Sequence, residues 1–249
     1  MKYGICELSI IPMRREPADP SELTNQVLYG EFFKVLERRS KWSRIRLAHD
    51  HYEGWIDNKQ YREINEEAYA FAKASSSVLT ADLVQVVTLH NQLLMPIVMG
   101  STLNSRQEDP NVYEGATLTG QQSKEKLVST ALLYLKTPYL WGGRTPFGID
   151  CSGFTQMVYR LNGYSLLRDA SMQATQGDAL SFIEESEPGD LAFFDNEEGS
   201  IIHVGIIMED NYIIHAHGEV RIDRLDHSGI YNPERRAHTH RLRVIKKII

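Results

Sequence analysis

Alternation of apolar and polar residues over the first 63 positions is the feature that most constrains the fold. The stretch QVLYGEFFKVLERRSKWSRIRLAHDHYEGWIDNKQYREI alternates through most of its length, and Gly30, RRSK and HDHYEG divide it into short runs. Short alternating runs between turn-forming residues are typical of paired antiparallel strands. No convincing amphipathic helix pattern occurs here. Residues 1–63 are therefore predicted to form a small antiparallel β-barrel.

A second strand-rich piece follows the helix-prone connector NEEAYAFAKA. The stretch SSSVLTADLVQVVTLHNQLLMPIVMGSTLN alternates again. It predicts either a second, shortened barrel within residues 64–115 or an irregular β extension of the part that follows. The turn-rich stretch SRQEDPNVYEGATLTG predicts a linker.

Helical periodicity begins near residue 120. In SKEKLVSTALLYLKTPYL, Leu127, Ala131, Leu132 and Leu135 recur at helical spacing, and the pattern ends before Pro138. These positions predict a helix with one apolar face.

A second helix is predicted in CSGFTQMVYRLNG, where Phe154, Val158 and Leu161 share one face and Asn162-Gly163 end the pattern. RDASMQATQGDAL suits a short third helix. The remaining stretches are strand-like: GDLAFFD, IHVGIIME, NYIIHAHG, EVRIDRL and HRLRVIKKI. Helices followed by an antiparallel meander predict an α+β domain over residues 116–249.

Composition excludes several classes of function. The formal net charge is −6 at pH 7, which argues against nucleic acid as a partner. No apolar run approaches the roughly 20 residues that span a bilayer, so no membrane partner is expected. The N-terminus is a poor signal peptide. A cytoplasmic location is expected, with a secreted or periplasmic one open if a signal peptide has been removed.

The chain has two cysteines, Cys6 and Cys151, in dissimilar settings, so no disulfide framework is implied. Cys6 is predicted to be a small core residue of a strand. Cys151 follows a glycine-rich turn and begins a helical pattern, between Asp150 and Ser152. Unsatisfied N–H groups at a helix start favour the nucleophilic thiolate, and we therefore expect a lowered thiol pKa.

Histidine is the usual base for such a thiol. His203 lies in the apolar strand SIIHVGII and His215 in the next strand, NYIIHAHG, with MEDN predicted as a tight hairpin between them. If the hairpin pairs the strands, both imidazoles face one side of the sheet. One then contacts the sulfur and the other fixes its tautomer. HTHRLR, with His238 and His240, is interpreted as a solvated strand edge, and neither a metal site nor a cofactor is expected.

The stretches YLWGG, DCSGF, HVGI and IIHA, in this order and at these separations, resemble the NlpC/P60 family of cysteine peptidases, which have a papain-like core. The resemblance implies that Cys151 is the nucleophile, His203 the base and His215 the orienting group. It implies that Tyr139 helps the Cys151 backbone N–H to form an oxyanion hole. A core aromatic is the alternative for Tyr139.

The same resemblance implies that Trp141 walls a substrate groove. Gly142 and Gly143 are expected to let backbone approach a ligand closely.

The spacing of YGEFFKVLE, WSRIRLA and YEGWID resembles a bacterial SH3 (SH3b) domain, and LLMPIVMGSTL resembles a shortened second one. Two such units before an NlpC/P60 domain resemble the γ-D-glutamyl-L-diamino-acid endopeptidases. These act on murein peptides with a free N-terminal L-alanine. The resemblance implies an acid in the first barrel that binds the substrate ammonium. Glu22 is the candidate, with Tyr52, Asp57 and Tyr61 as further candidates, and a solvated loop acid is the alternative for Glu22.

Asp150 is a second candidate for the ammonium, because a buried ammonium needs a paired carboxylate. Ser152 and Ser171 are candidates for binding the D-glutamyl α-carboxylate. A helix N-cap is the alternative for Ser171.

Three other functions stay open. The first is a secreted wall-remodelling hydrolase of the same family, and the second is a murein-peptide-binding protein with an inert peptidase domain. The third is an amidase or acyltransferase that acts on another substrate.

Overall fold

The structure, a computed structural model, describes residues 2–104 and 110–249. These residues fall into two units. The first comprises the described residues up to 120 together with 141–146, and the second comprises residues 121–140 and 147–249. The division of the sequence into 1–63, 64–115 and 116–249 places two boundaries inside the first unit, and it stays a prediction.

Antiparallel strands form the main sheet of the first unit, in the order β3-β2-β6-β5-β4-β1-β7. Alternate side chains, such as Ile11 and Met13 in β2 or Ile45 and Leu47 in β5, are fully buried in one core. Cys6 belongs to this core, as predicted. The strands are β1 (Lys2–Ile5), β2 (Ile10–Arg14), β3 (Leu23–Leu28), β4 (Phe32–Arg38), β5 (Trp42–Leu47), β6 (Glu53–Asp57) and β7 (Arg62–Ile64).

The rest of the first unit begins with a helix, α1 (Glu66–Ala74), in the predicted connector. The Asn65 side chain caps it by accepting the Ala68 N–H. Short strands follow and form two small sheets, β10-β9-β11 and β12-β8. Their bounds are β8 (Val78–Thr80), β9 (Val84–Thr88), β10 (Leu94–Val98), β11 (Val112–Tyr113) and β12 (Thr117–Thr119).

The predicted linker at 105–120 is wrong for part of its length. Positions 105–109 lie outside the described residues, but β11 pairs with β9 and β12 pairs with β8. The Asp82 carboxylate joins these short strands, because it accepts the Ala116 N–H at 2.7 Å and the Tyr113 hydroxyl at 3.0 Å. The segment is therefore held by pairing that turn-forming composition does not reveal.

The helices of the second unit are α2 (Lys126–Leu132), α3 (Cys151–Leu161) and α4 (Ala170–Gln173). Leu127 and Ala131 are buried as predicted, whereas Leu132 and Leu135 are exposed. The helix ends earlier than its apolar pattern suggests, and Lys136 takes a positive φ of 70°. Leu135 therefore lies outside the helix.

Helix α3 confirms its prediction. Phe154, Val158 and Leu161 are buried, and the helix ends at Asn162, followed by Gly163 with a φ of 82°. α3 packs against two neighbouring strands of the second unit, β17 (Ile201–Ile207) and β18 (Tyr212–His217).

The sheet of the second unit has the order β15-β21-β16-β17-β18-β19-β20, and β20 also pairs with β21. This extra pairing closes β16 to β21 into a barrel. The interpretation of HTHRLR as a solvated strand edge is wrong only in part: His238 and His240 pair with β20 alone, Arg241 pairs with both β20 and β16, and Leu242 pairs with β16. The strands are β14 (Gly148–Ile149), β15 (Asp178–Leu180), β16 (Leu191–Asp195), β17 (Ile201–Ile207), β18 (Tyr212–His217), β19 (Glu219–Asp226), β20 (Gly229–Asn232) and β21 (Ala237–Lys247), while β13 (Arg144–Thr145) belongs to the first unit.

Within the described ranges, none of the helices has the length and apolar character needed to cross a membrane.

Candidate active site

The candidate nucleophile, Cys151, is the first residue of α3. The Asp150 side chain caps the helix by accepting the Gly153 N–H at 2.6 Å. The Arg168 guanidinium bonds both carboxylate oxygens of Asp150, at 2.9 and 2.6 Å. All these groups are buried. A buried ion pair therefore holds the start of the helix that carries the thiol.

The contacts of Asp150 and Ser152 bear on the substrate-binding roles suggested for them. The Ser152 hydroxyl accepts from Arg168 Nη1 at 3.0 Å and lies 3.3 Å from Asp150 Oδ1. Both side chains are thus engaged in the interior of the unit. Ser171 is exposed in α4, and the N-cap position belongs to Asp169, so the N-cap alternative for Ser171 is wrong.

His203 and His215 face the same side of the sheet, as the hairpin prediction required. β17 and β18 pair with Gly205 opposite His215, which places His203 diagonally across from His215. His203 Nε2 and His215 Nδ1 are 2.8 Å apart, and both rings are buried. This hydrogen bond leaves Nδ1 of His203 for the thiol.

The Cys151 sulfur lies against the strand that carries His203. The backbone N–H groups of Val204 and Ser152 are directed at it. Burial raises the pKa of the Cys151 thiol to about 12, and the Asp150 carboxylate adds to this rise. The expectation that the helix start lowers the thiol pKa is wrong, because burial outweighs the N–H groups and the Arg168 charge.

The base is also held neutral. Burial lowers the pKa of His203 well below its usual value, and the neighbouring His215, His240 and His217 lower it further. The raised pKa of the Cys151 thiol and the lowered pKa of the His203 imidazole both favour the uncharged forms of these groups at neutral pH.

Tyr139 lies beside the candidate nucleophile. Its backbone N–H donates to the Gly218 carbonyl at 2.9 Å, and it bridges to Ile149. Burial raises the pKa of the Tyr139 hydroxyl, and so do Cys151 and Asp150. The hydroxyl is therefore protonated and available to donate at neutral pH.

The sequence analysis did not assign two of the residues at this site. Asp223 Oδ2 lies 3.0 Å from Nε2 of His215, and the His240 ring stacks on His203 with centroids 4.2 Å apart. A hairpin centred on Gly218 places Asp223 on the face of His215, so a register count would have found it. His240 comes from β21 through long-range pairing, and no local signal marks it.

Among the residues that the structure describes, no group of three or more histidine, cysteine or acidic side chains is arranged to hold a metal ion.

The first unit holds the other candidates. Trp141 Nε1 donates to Glu22 Oε1 at 2.7 Å, and Arg15 pairs with the other oxygen at 2.9 Å. Glu22 is half-buried and Trp141 is exposed. A side chain on Gly142 would strike the Leu23 backbone. Gly142 thus allows close approach to the Leu23 backbone, and the approach of a ligand to Gly142 and Gly143 stays a prediction.

The sequence analysis also missed the burial of Arg144. Its guanidinium makes two 3.0 Å bonds to the Glu31 carboxylate, and both side chains are buried. This ion pair holds the WGGR stretch within the first unit.

Tyr52, Asp57 and Tyr61 each have local partners in the barrel. Tyr52 and Tyr61 pack against its core, and the Tyr61 hydroxyl lies 2.9 Å from that of Ser43. Asp57 accepts the Lys59 N–H at 2.8 Å.

A buried thiol at a helix start, beside a hydrogen-bonded histidine pair on a barrel, is the arrangement of a cysteine hydrolase. Residues 136–239 match the NlpC/P60 family, and residues 13–60 match the bacterial dipeptidyl-peptidase SH3 domain. The chain therefore contains an NlpC/P60 domain, preceded by an SH3 domain of the dipeptidyl-peptidase type.

Similar proteins agree with this assignment. The chain is 26% identical over 229 residues to a γ-D-glutamyl-L-lysine dipeptidyl-peptidase of Bacillus cereus, covering 79% of this chain and 68% of the relative. It is 28% identical to dipeptidyl-peptidase 6 of Lysinibacillus sphaericus, covering 85% and 87%. The crystal structure of an NlpC/P60 family protein from Bacillus cereus has the same fold, with a TM-score of 0.82, 19% identity and 99% coverage of both chains.

The free energy of unfolding should decrease as the pH is lowered below about 6.5, because the folded protein depresses the pKa values of several histidines. Burial lowers the pKa of His203 and His215, and it lowers that of His240 to about 3. The unfolded chain, with histidine pKa values near 6.5, then binds more protons as the pH falls. Each such histidine contributes a slope of up to about 1.4 kcal/mol per pH unit to the free energy of unfolding.

Denaturant unfolding between about pH 7 and about pH 5 measures this slope. His240→Asn should reduce the number of protons taken up on unfolding by about one, and the slope with it. The same substitution at the exposed His227 is the control. Carboxylates whose pKa values are lowered in the folded protein also reduce the free energy of unfolding as the pH falls, but only near and below about pH 4. An unchanged slope in His240→Asn would contradict the account.

Proposed function

We propose that the protein is a cysteine peptidase that cleaves the γ-D-glutamyl to L-diamino acid bond of murein peptides with a free N-terminal L-alanine. The observation that carries the proposal is the thiol of Cys151 at the start of α3, against the strand of a buried His203–His215 pair. The SH3 domain of dipeptidyl-peptidase type and the names of the relatives support the substrate class.

Acylation begins from the neutral pair. As the Cys151 sulfur attacks the amide carbonyl carbon, Nδ1 of His203 takes the thiol proton. The oxyanion accepts the Cys151 backbone N–H and the Tyr139 hydroxyl, and each such donor contributes about 3 kcal/mol. The protonated His203 then gives its proton to the leaving amine of the diamino acid. A thioester between Cys151 and the γ-carbonyl of D-glutamate remains.

Deacylation uses the same groups. His203 takes a proton from water as its oxygen attacks the thioester carbonyl, and the sulfur leaves and is reprotonated. L-Ala-D-Glu is released and the thiol is restored. His215 holds the His203 ring in place through both half-reactions. Neither half-reaction requires a cofactor.

Glu22 is the candidate for binding the free amino group of the substrate. Its carboxylate is half-exposed, whereas both oxygens of Asp150 accept from Arg168 in the interior. An acid that binds ammonium favours free peptides over N-acylated ones. Trp141, Tyr52, Asp57 and Tyr61 are further contact candidates in the same unit. Ser171, which is exposed, is the stronger candidate for the D-glutamyl α-carboxylate, because the Ser152 hydroxyl accepts from Arg168 in the interior.

The proposal extends to domain organisation and location. Residues 64–115 are assigned as a second, shortened SH3b-like unit, supported by the small sheet β10-β9-β11. The protein is assigned to recycling of murein peptides in the bacterial cytoplasm. A secreted or periplasmic hydrolase that remodels the wall is the alternative, and it would cut peptides still attached to glycan.

Cys151→Ala should abolish turnover. The wild-type protein is incubated with L-Ala-γ-D-Glu-diaminopimelate and with the lysine analogue, and products are measured by mass. Wild type should release L-Ala-D-Glu, and the variant should lose on the order of 10⁴-fold or more in kcat/KM. Cys6→Ala, which removes the other thiol, is the matched control and should keep its activity. Unchanged turnover in Cys151→Ala would exclude the cysteine mechanism.

N-acetylation of the substrate should slow cleavage. A charged hydrogen bond of about 1.5 to 3 kcal/mol corresponds to a loss of roughly 10- to 150-fold in kcat/KM. Glu22→Gln should reduce this preference, whereas the same change at the exposed Glu16 should preserve it. Equal rates on the free and acetylated peptides would refute the role of Glu22 and favour the wall-remodelling alternative.

A further inference from the structure

Asp223 ends a hydrogen-bonded chain that begins at the candidate base. His203 Nε2 and His215 Nδ1 are 2.8 Å apart, and His215 Nε2 and Asp223 Oδ2 are 3.0 Å apart. Arg221 then holds the Asp223 carboxylate with Nε to Oδ2 at 2.7 Å and Nη2 to Oδ1 at 3.0 Å. His203, His215 and Asp223 are at most 5% exposed.

The charge state of Asp223 determines which atoms are the donors in this chain of hydrogen bonds. Burial alone would raise the pKa of Asp223, but hydrogen bonds from His215 and Arg221 outweigh burial and lower it. An ionised carboxylate only accepts hydrogen bonds, so His215 carries its proton on Nε2. Nδ1 of neutral His215 is then an acceptor. His203 must therefore donate from Nε2, which leaves its Nδ1 unprotonated.

We propose that Asp223 is a positioning residue that sets the tautomers of both His215 and His203, with Arg221 fixing the orientation of its carboxylate. The inference rests on the proposed function for its consequence in catalysis. Only the tautomer with a bare Nδ1 on His203 accepts the thiol proton of Cys151. The opposite tautomer leaves an N–H on Nδ1, and the thiol then has no base.

Asp223→Ala removes the acceptor that holds the proton of His215 on Nε2. Asn is not a clean test, because Oδ2 accepts from both Arg221 Nε and His215, and an amide oxygen at that position keeps the His215 tautomer. Without the carboxylate, His215 can carry its proton on Nδ1 and donate to His203 Nε2, and the proton of neutral His203 then moves to Nδ1. A reversed tautomer in a serine protease triad lowers kcat on the order of 10⁴-fold, and we expect a loss of kcat on the order of 10³- to 10⁴-fold here, with KM little changed.

The chain offers a matched control on the same strand. Asp226 also accepts from a histidine, with His238 Nε2 at 2.8 Å from Oδ2, but this pair is exposed. Asp226→Ala makes the identical chemical change away from Cys151, and it should leave kcat within about two-fold.

Nitrogen NMR of the imidazole rings tests the inference directly. In the wild-type protein His203 and His215 should both be protonated on Nε2, and in Asp223→Ala protonation on Nδ1 should appear at both rings. Wild-type protonation of His215 on Nδ1 would overturn the inference without any variant, even if Asp223→Ala fails to fold. A folded Asp223→Ala with unchanged tautomers or unchanged kcat would also overturn it.

These spectra need no substrate. If the wild-type protein cleaves no murein peptide, the proposed function fails, while the tautomers still decide the role of Asp223.

Discussion

The buried hydrogen bond between His203 and His215 is the contact on which the site depends. Two imidazoles in an apolar barrel are costly to desolvate unless they are paired, and the register of β17 and β18 provides the pairing. α3 packs against both strands, and the backbone N–H of Val204, the residue after His203, is directed at the Cys151 sulfur. Barrel closure through β21 adds His240, whose ring covers one face of His203.

Buried charges accompany the chemistry in both units. Arg168 and Asp150 hold the start of α3, and Arg144 and Glu31 hold the WGGR stretch within the first unit. Removing one partner of such a pair typically costs about 3 to 5 kcal/mol, because the other charge is left buried. Polar contacts made by mobile side chains would fix the orientation of the thiol and of the WGGR stretch less precisely. Within each unit, a buried ion pair thus positions one segment and also stabilises the fold.

Local patterns predicted the elements that depend on local interactions. Helix α3 and the hairpin that joins His203 to His215 both follow from residues close in sequence. Residues whose surroundings come from distant strands were missed. His240 was interpreted as a solvated edge because the pairing of β21 with both β16 and β20 is long-range. The thiol pKa was misjudged for the same reason, because burial of Cys151 depends on tertiary packing that outweighs the helix start.

The central claim is that Cys151 and His203 rest as a neutral thiol and a neutral imidazole, and that the proton moves only during attack. Ultraviolet absorbance of the thiolate, taken as the difference between wild type and Cys151→Ser over a pH titration, measures this directly. The account predicts no thiolate from Cys151 at neutral pH, with the signal rising only in strongly alkaline solution. A full thiolate signal at neutral pH that disappears on acidification would show a resting thiolate–imidazolium pair and contradict the account.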